Sequence, residues 1–393
     1  MTRSHRLGCR KHDFPLLLLL FMLVIWPGVV ACGPQAEDLE AVDYAPLAGG
    51  DWEVSTPQAQ GLDPARVARF YRDAAELETL YGLLIVKNGY LIAEKYFNEG
   101  SIGQVSGRQS VTKSFTSALV GIALEQGCLD SVDQKMLEFF PEIAGQITDP
   151  RKEQVAIRQL LQMRGGYPDG EEMPAYLEIL FFREDWHWLP LIEGFPLVSD
   201  PGTEFHYSNL TSHILGMIVA RACGRDLESL AQQELLSPMK AKVVKWNADA
   251  DGYNWGWGEI YVTARDMAKF GLLYIGGGEY EGKRILPADW VRDSLTPSTE
   301  NIKRGGWLTS RYGSFRDIGY GYQWWSATVG RHRFDYACGH GGNYIILLHD
   351  LDMIVVTTAD PLYGPELAGA GGWKYEGAIN KEVAGFIKSL PKK

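Results

Sequence analysis

Apolar positions along the chain change period several times, and the changes mark out the elements. Asp63-Pro64 opens a segment in which Val67, Phe70, Tyr71 and Ala74 recur at helical spacing, behind an Asp cap with Pro at the first helical position. Residues 81–86 and 90–96 are rich in β-formers and flank Asn88-Gly89, the dipeptide that most strongly signals a two-residue hairpin. From 110 to 126 the period is helical again, with Phe115, Leu119 and Ile122 on one apolar stripe. Between 130 and 300 the pattern is mainly helical, over 154–163, 208–222, 226–236 and 264–275. Residues 166–206 lack a period and are rich in aromatics, Pro and Gly, which predicts a long functional loop. Strand-like runs return at 321–327, 332–337, 344–349 and 353–358, with Asp350-Leu351-Asp352 as a tight link, and a last amphipathic helix is expected from 376 to 390.

Two strands near the start and several near the end, with helices between, predict one antiparallel sheet flanked by helices and interrupted by a mostly helical insertion. That is an α+β fold. Residues 51–128 with 300–393 are expected to form the sheet domain, and 129–299 the helical one.

The first 31 residues stand apart. Arg3, Arg6, Arg10 and Lys11 precede an apolar run from Phe14 to Ile25, and small residues then lead to Cys32. This is the layout of a secretory signal, too short for a full membrane span of roughly 20 residues. Val29-Val30-Ala31-Cys32 resembles a bacterial lipobox, which makes Cys32 the expected lipidated first residue and residues 32–50 a tether to the cell envelope. Gly33 after Cys32, with no Asp there, points to a periplasm-facing outer membrane in a host with two membranes. Removing residues 1–31 deletes four Lys/Arg and one Asp, taking the net charge from -11 to -14. An acidic body argues against nucleic acid as a partner, so membrane contact is expected through lipid alone.

Cys128, Cys223 and Cys338 are odd in number and lack C-x-x-C spacing. One disulfide fits an oxidising compartment, but the three read best as small buried apolar residues. There is no G-x-S-x-G elbow and no H-E-x-x-H. The His residues lack metal-ligand spacing, and no Gly-rich loop follows a strand. No metal or cofactor is expected.

What remains is S-x-x-K. A Ser hydroxyl needs a neighbouring base, and a Lys three residues on lies one helical turn away on the same face. The motif occurs at Ser110/Lys113, Ser237/Lys240 and Ser389/Lys392. Only Ser110 opens a long apolar helix, whose N-terminus would add positive potential beside a developing oxyanion. Read blandly, Ser110 is a helix cap with a solvated Lys behind it. Tyr-x-Asn occurs at Tyr96/Asn98 and Tyr207/Asn209; Tyr207 stands at the entry to a helix. A phenol of reference pKa about 10 beside an ammonium near about 10.4 exchanges protons readily. Asn209 could bond Lys113 or a substrate carbonyl, or simply cap its helix. His340-Gly341-Gly342 precedes a strand, where glycines let a substrate approach the backbone.

These residues, in this order, resemble the serine β-lactamase and penicillin-recognising family, whose motifs run S-x-x-K, Y-x-N, then K-T-G or H-x-G. Here they read Ser110-Val111-Thr112-Lys113, Tyr207-Ser208-Asn209 and His340-Gly341-Gly342. The likeness extends over about 52–390, through Gly61-Leu62-Asp63, Pro201-Gly202-Thr203, Ala264-Arg265-Asp266 and Gly319-Tyr320-Gly321. It is closest to the branch of class C β-lactamases, DD-peptidases, esterases and 6-aminohexanoate-dimer hydrolases. The resemblance implies an acyl-enzyme at Ser110, with Lys113 and Tyr207 sharing acid–base duty and the backbone N–H groups of Ser110 and Asn343 holding the oxyanion. Asn209, His340, Gly341, Gly342 and Trp186 are implied substrate contacts. His340 stands where β-lactamases carry a Lys for the substrate carboxylate. With Trp186, His187, Trp188, Trp324 and Trp325 offering aromatic walls, an ester or amide is favoured as the small-molecule substrate over a β-lactam or peptidoglycan stem. A catalytically silent envelope lipoprotein that binds cell-wall fragments is the alternative from another class.

Overall fold

The computed structural model describes residues 42–169, 187–303, 313–363 and 370–391. Cys32 and Trp186 lie outside the described residues, as do the basic and apolar leader and Lys392.

The centre is a seven-stranded antiparallel sheet. Its strands are β1 (Leu80–Lys87), β2 (Tyr90–Tyr96), β3 (Arg316–Tyr320), β4 (Trp325–Val329), β5 (His332–Gly339), β6 (Asn343–Leu348) and β7 (Met353–Ala359), in the order β2-β1-β7-β6-β5-β4-β3. The expected hairpin forms at Asn88-Gly89, both with positive φ (51° and 81°) as its tight turn requires. β1 then pairs with β7, Leu84 opposite Val356, so the two ends of the described chain close one sheet.

Helices lie on both faces. α1 (Pro64–Ala74), capped by Asp63 as its sequence predicts, packs with α6 (Ala370–Ser389) on one side. On the other are α2 (Thr112–Glu125), α3 (Asn209–Cys223) and α4 (Ala264–Ile275), with α5 (Ala288–Leu295) at the margin. Central strands are therefore covered twice. Leu84, Val86, Ile345, Leu347, Ile354 and Val356 join the core under α2 and α4, while Leu83, Ile85, Tyr344, Ile346, Leu348 and Val355 join the core under α1 and α6. This is why these strands read as unbroken apolar runs.

Four expectations need correction. The run at 321–327 is not one strand: Gly321 N–H donates to Trp324 O and Gln323 has φ 60°, so 321–324 is a turn between β3 and β4. α2 is not amphipathic. Twelve of its fourteen residues are buried because the sheet, α3 and α4 surround it. The loop at 166–206 contains a short helix, Leu189–Gly194. Finally, Cys128 and Cys223 form a disulfide, 95 residues apart, instead of serving as apolar filler; Cys338 is buried on β5 outside it. Nothing in their spacing announced this, because each half-cystine only meets the other once α2 and α3 pack side by side.

Two polar devices tie the layers. Arg265, at the start of α4, is buried against fully buried Glu94 of β2, with Arg265 Nη2 donating to Glu94 Oε2 at 2.6 Å. Gln323 bridges three elements: its amide nitrogen donates to Leu160 O and Leu161 O, its Oε1 accepts from Ser212 of α3, and its carbonyl accepts from Ser114 of α2. Among the described residues no helix is long and apolar enough to cross a membrane.

The disulfide joins the C-terminal ends of two helices whose N-terminal ends carry the candidate chemistry. Replacing both cysteines by Ser is expected to cost about 2–5 kcal/mol in urea unfolding. An unfolding midpoint equal to that of the oxidised parent contradicts this.

Candidate active site

Backbone shape puts Ser110 forward. The chain leaves a two-residue strand at Ser106–Gly107, turns through a 3-10 segment Gln109–Val111, and enters α2 at Thr112. Gln109 has φ 50°, an uncommon conformation for a residue with a Cβ and one that carries strain. Thr112 secures the kink: its Oγ1 donates to Gln109 O at 2.6 Å and accepts from Ile260 N–H at 3.2 Å. Ser110 is half-buried at the helix entrance, while Lys113 is 1% exposed.

A buried ammonium needs acceptors, and Lys113 has three. Its Nζ lies 2.9 Å from Ser110 Oγ, 2.7 Å from Asn209 Oδ1 and 3.0 Å from Trp257 O. An ammonium fills all three with its three N–H groups. A neutral amine has two N–H groups for the two carbonyl oxygens, which can only accept, and so turns its lone pair to the Ser110 hydroxyl. The geometry thus accommodates both protonation states without moving a heavy atom. The Tyr207 ring lies against the same nitrogen, 4.9 Å from its centroid. Tyr207 is held by Trp325 (centroids 5.3 Å apart) and, edge-on, by Tyr320 (6.0 Å).

The capping reading of Asn209 does not hold: Ser208 is the cap position of α3, and the Asn209 amide goes to Lys113. The other matches to the motifs are structural. Ser237 and Lys240 lie in and after a 3-10 turn, Lys240 pairing with exposed Glu281 and Ser237 accepting from Gln232. The Tyr96 hydroxyl donates to Glu94, and the Asn98 amide to Leu77 O and Leu80 O.

The third motif forms the turn from β5 to β6. Gly341 and Gly342 have φ of 85° and 105°, and a Cβ on either would meet Pro361 or Ile379 at 2.5 Å, so only glycine fits. Gly339, just before, lets the strand close on the turn that carries Ser110: a Cβ there would be 2.3 Å from Arg108 O. The turn is held from below by Glu376, fully buried on α6, which accepts from Gly341 N–H (3.1 Å) and the Tyr344 hydroxyl (2.8 Å) and lies 3.5 Å from His340 Nδ1. Asn343 starts β6 opposite Gly339; its Nδ2 donates to His340 O.

Arg108, fully buried, donates to Val262 O, Ser106 Oγ and Asn343 Oδ1, and burial lowers its pKa to about 10. Of the expected aromatic wall, Trp324 is core against Tyr274, and Trp188 is buried against His213. Trp325 adjoins Tyr207. Arg108, Gly339, Trp257 and Glu376 escaped the sequence reading because each acts through backbone or buried contacts. Only the Gly339-His340-Gly341-Gly342 run hinted at close backbone approach.

The fold has two buried faces, and at one end of it a Ser–Lys pair at a helix entrance stands beside a glycine turn. Residues 83–371 match the family model described as Beta-lactamase, and the chain belongs to that family. It is 26% identical over 262 residues to the 6-aminohexanoate-dimer hydrolase of Paenarthrobacter ureafaciens, covering 63% of this chain and 64% of that relative's length. Its fold is shared with EstCE1, a hydrolase with promiscuous acyltransferase activity (TM-score 0.61, 15% identity, 82% of this chain and 99% of that one). A D-stereospecific amidohydrolase from Streptomyces also shares it (TM-score 0.54, 18% identity, 72% and 91%).

Lys113→Ala and Tyr207→Phe are each expected to lower turnover on the order of 10²-fold or more, the scale of lost acid–base help. Ser237→Ala is expected to leave it unchanged. Near-parental rates in the Lys113 or Tyr207 variant contradict that residue's assignment.

Proposed function

We propose that this chain is a serine hydrolase that forms an acyl-enzyme at Ser110 and cleaves an ester or amide bond of a small substrate. The observation that carries the reading is the 2.9 Å contact between Ser110 Oγ and a buried Lys113 that also donates to two carbonyl oxygens. Lys113 or the Tyr207 phenol takes the Ser110 proton as Oγ attacks the substrate carbonyl. Backbone N–H groups of Ser110 and of Asn343, at the end of the glycine turn, receive the oxyanion. The same pair returns the proton to the leaving alcohol or amine, and water then releases the acyl group from Ser110. Asn209 fixes the amine, and His340, one-third exposed at the glycine turn, is the implied substrate contact there.

His340 supports an ester or amide without a required carboxylate, since its Nδ1 side is turned to the buried Glu376 carboxylate at 3.5 Å, which offsets positive charge on the ring before a substrate can use it. The 6-aminohexanoate-dimer hydrolase relative, and the acyltransferase-active hydrolase and amidohydrolase that share the fold, fit the same chemistry. Export suits the Cys128–Cys223 disulfide, which persists in oxidising compartments. Lipid attachment at Cys32 to the cell envelope completes the proposal.

A panel of p-nitrophenyl butyrate, a short linear amide, nitrocefin and a D-Ala-D-Ala peptide tests it on protein lacking residues 1–32. Turnover of the ester or amide above the other two, abolished in Ser110→Ala, is expected. Preference for nitrocefin or the peptide replaces the substrate assignment; no turnover of any of them favours the silent binding protein.

A further inference from the structure

The carbonyl that receives Lys113 belongs to a loop held by a buried pair outside all three motifs. His213 lies one helical turn beyond Asn209 on α3. Its Nε2 is 3.0 Å from Asp249 Oδ2, and both side chains are fully buried. Its Nδ1 accepts the Gly256 N–H at 3.3 Å. The Trp188 ring covers the imidazole, centroids 4.3 Å apart. Because Nδ1 accepts from a backbone donor, the ring proton resides on Nε2 and is donated to Asp249. Burial also pushes the imidazole pKa down, against the opposing pull of Asp249, which suits the neutral ring.

The Gly256 peptide is thereby pinned from both sides. Its N–H goes to His213 on α3, and its carbonyl accepts from Thr116 Oγ1 on α2 at 2.8 Å. Its Cα rests on α3 so closely that a Cβ would come within 2.3 Å of Ser212 O. One residue on, Trp257 O meets Lys113. Asp249 closes the same loop with its other oxygen, which accepts from Asp251 N–H (2.9 Å) and Tyr253 N–H (2.8 Å).

We propose that His213, kept in one tautomer by Asp249, is a positioning residue that sets the Trp257 carbonyl against Lys113 and so aims the amine at Ser110. This rests on the reading of Ser110 and Lys113 as the reacting pair. His213 touches neither Ser110 nor a substrate in that pair's chemistry; it acts through two peptide groups. Asp249→Asn is the sharp probe. The Asn oxygen is committed to the two backbone N–H groups, so its NH2 faces Nε2 and forces the ring proton onto Nδ1, against Gly256 N–H. His213→Asn instead keeps an acceptor close to the Nδ1 position.

The experiment measures acylation of Ser110 by a fluorophosphonate in the parent, Asp249→Asn and His213→Asn, each held well below its melting temperature. In Asp249→Asn the maximal acylation rate is expected to fall about 10-fold or more, the scale of a small misplacement at a reacting centre. The probe concentration for half-maximal rate should not change, and His213→Asn should lose clearly less rate than Asp249→Asn. Parental rates in a folded Asp249→Asn, whatever its melting temperature, overturn the proposal by reducing the pair to a structural role. So does a His213→Asn variant slowed as much as Asp249→Asn. If Asp249→Asn does not fold, His213→Gln takes its place, since it can reach Asp249 but leaves Gly256 N–H without its acceptor; the same outcomes apply. A parent that takes no label on Ser110 sinks the acyl-enzyme reading itself, and this proposal with it.

Discussion

A lysine buried to 1% exposure is tolerable only if its charge or its N–H groups are satisfied, and that requirement organises the site. An uncompensated buried ammonium costs several kcal/mol. Lys113 is stabilised by Ser110 Oγ, Asn209 Oδ1 and Trp257 O. These oxygens come from three segments far apart in sequence, so folding and site assembly are one event. The Ser110 hydroxyl is held because Lys113 needs acceptors.

The surrounding structure keeps those segments in register. α2 and α3 present their N-terminal ends to the site and are joined at their far ends by Cys128–Cys223, and Gln323 bonds both near Ser114 and Ser212. The sheet supplies the third wall. β5 approaches the turn that carries Ser110 to a distance only Gly339 permits, and Glu376 on α6 fixes the glycine turn from the opposite face of the sheet. Arg265 with Glu94 anchors α4, which underlies the same strands.

Much of this was legible in the sequence where local rules decide. The Asn88-Gly89 hairpin and the Asp63 cap of α1 follow from backbone preferences that need no partner. α4 starts and ends where its period predicts. The choice of Ser110/Lys113 over Ser237/Lys240 followed from helix context alone, and the structure separates the two pairs accordingly. What escaped depends on tertiary contact. The disulfide needs two helices packed before its cysteines meet. The turn at 321–324 is imposed by Gln323 reaching into the core, against a β-rich local sequence. The Trp257 carbonyl carries no side-chain signature, and His213 with Asp249 looks like any buried polar pair until the tautomer is worked out.

The central claim is that one alcohol, activated by one buried amine, carries the substrate's acyl group. Quenching turnover of an active ester in acid, digesting the protein and mapping the acyl mass tests it most directly. The account predicts a single acyl adduct, on the peptide containing Ser110. Turnover with the adduct on another residue, or with water attacking directly and no adduct at any time point, would contradict it.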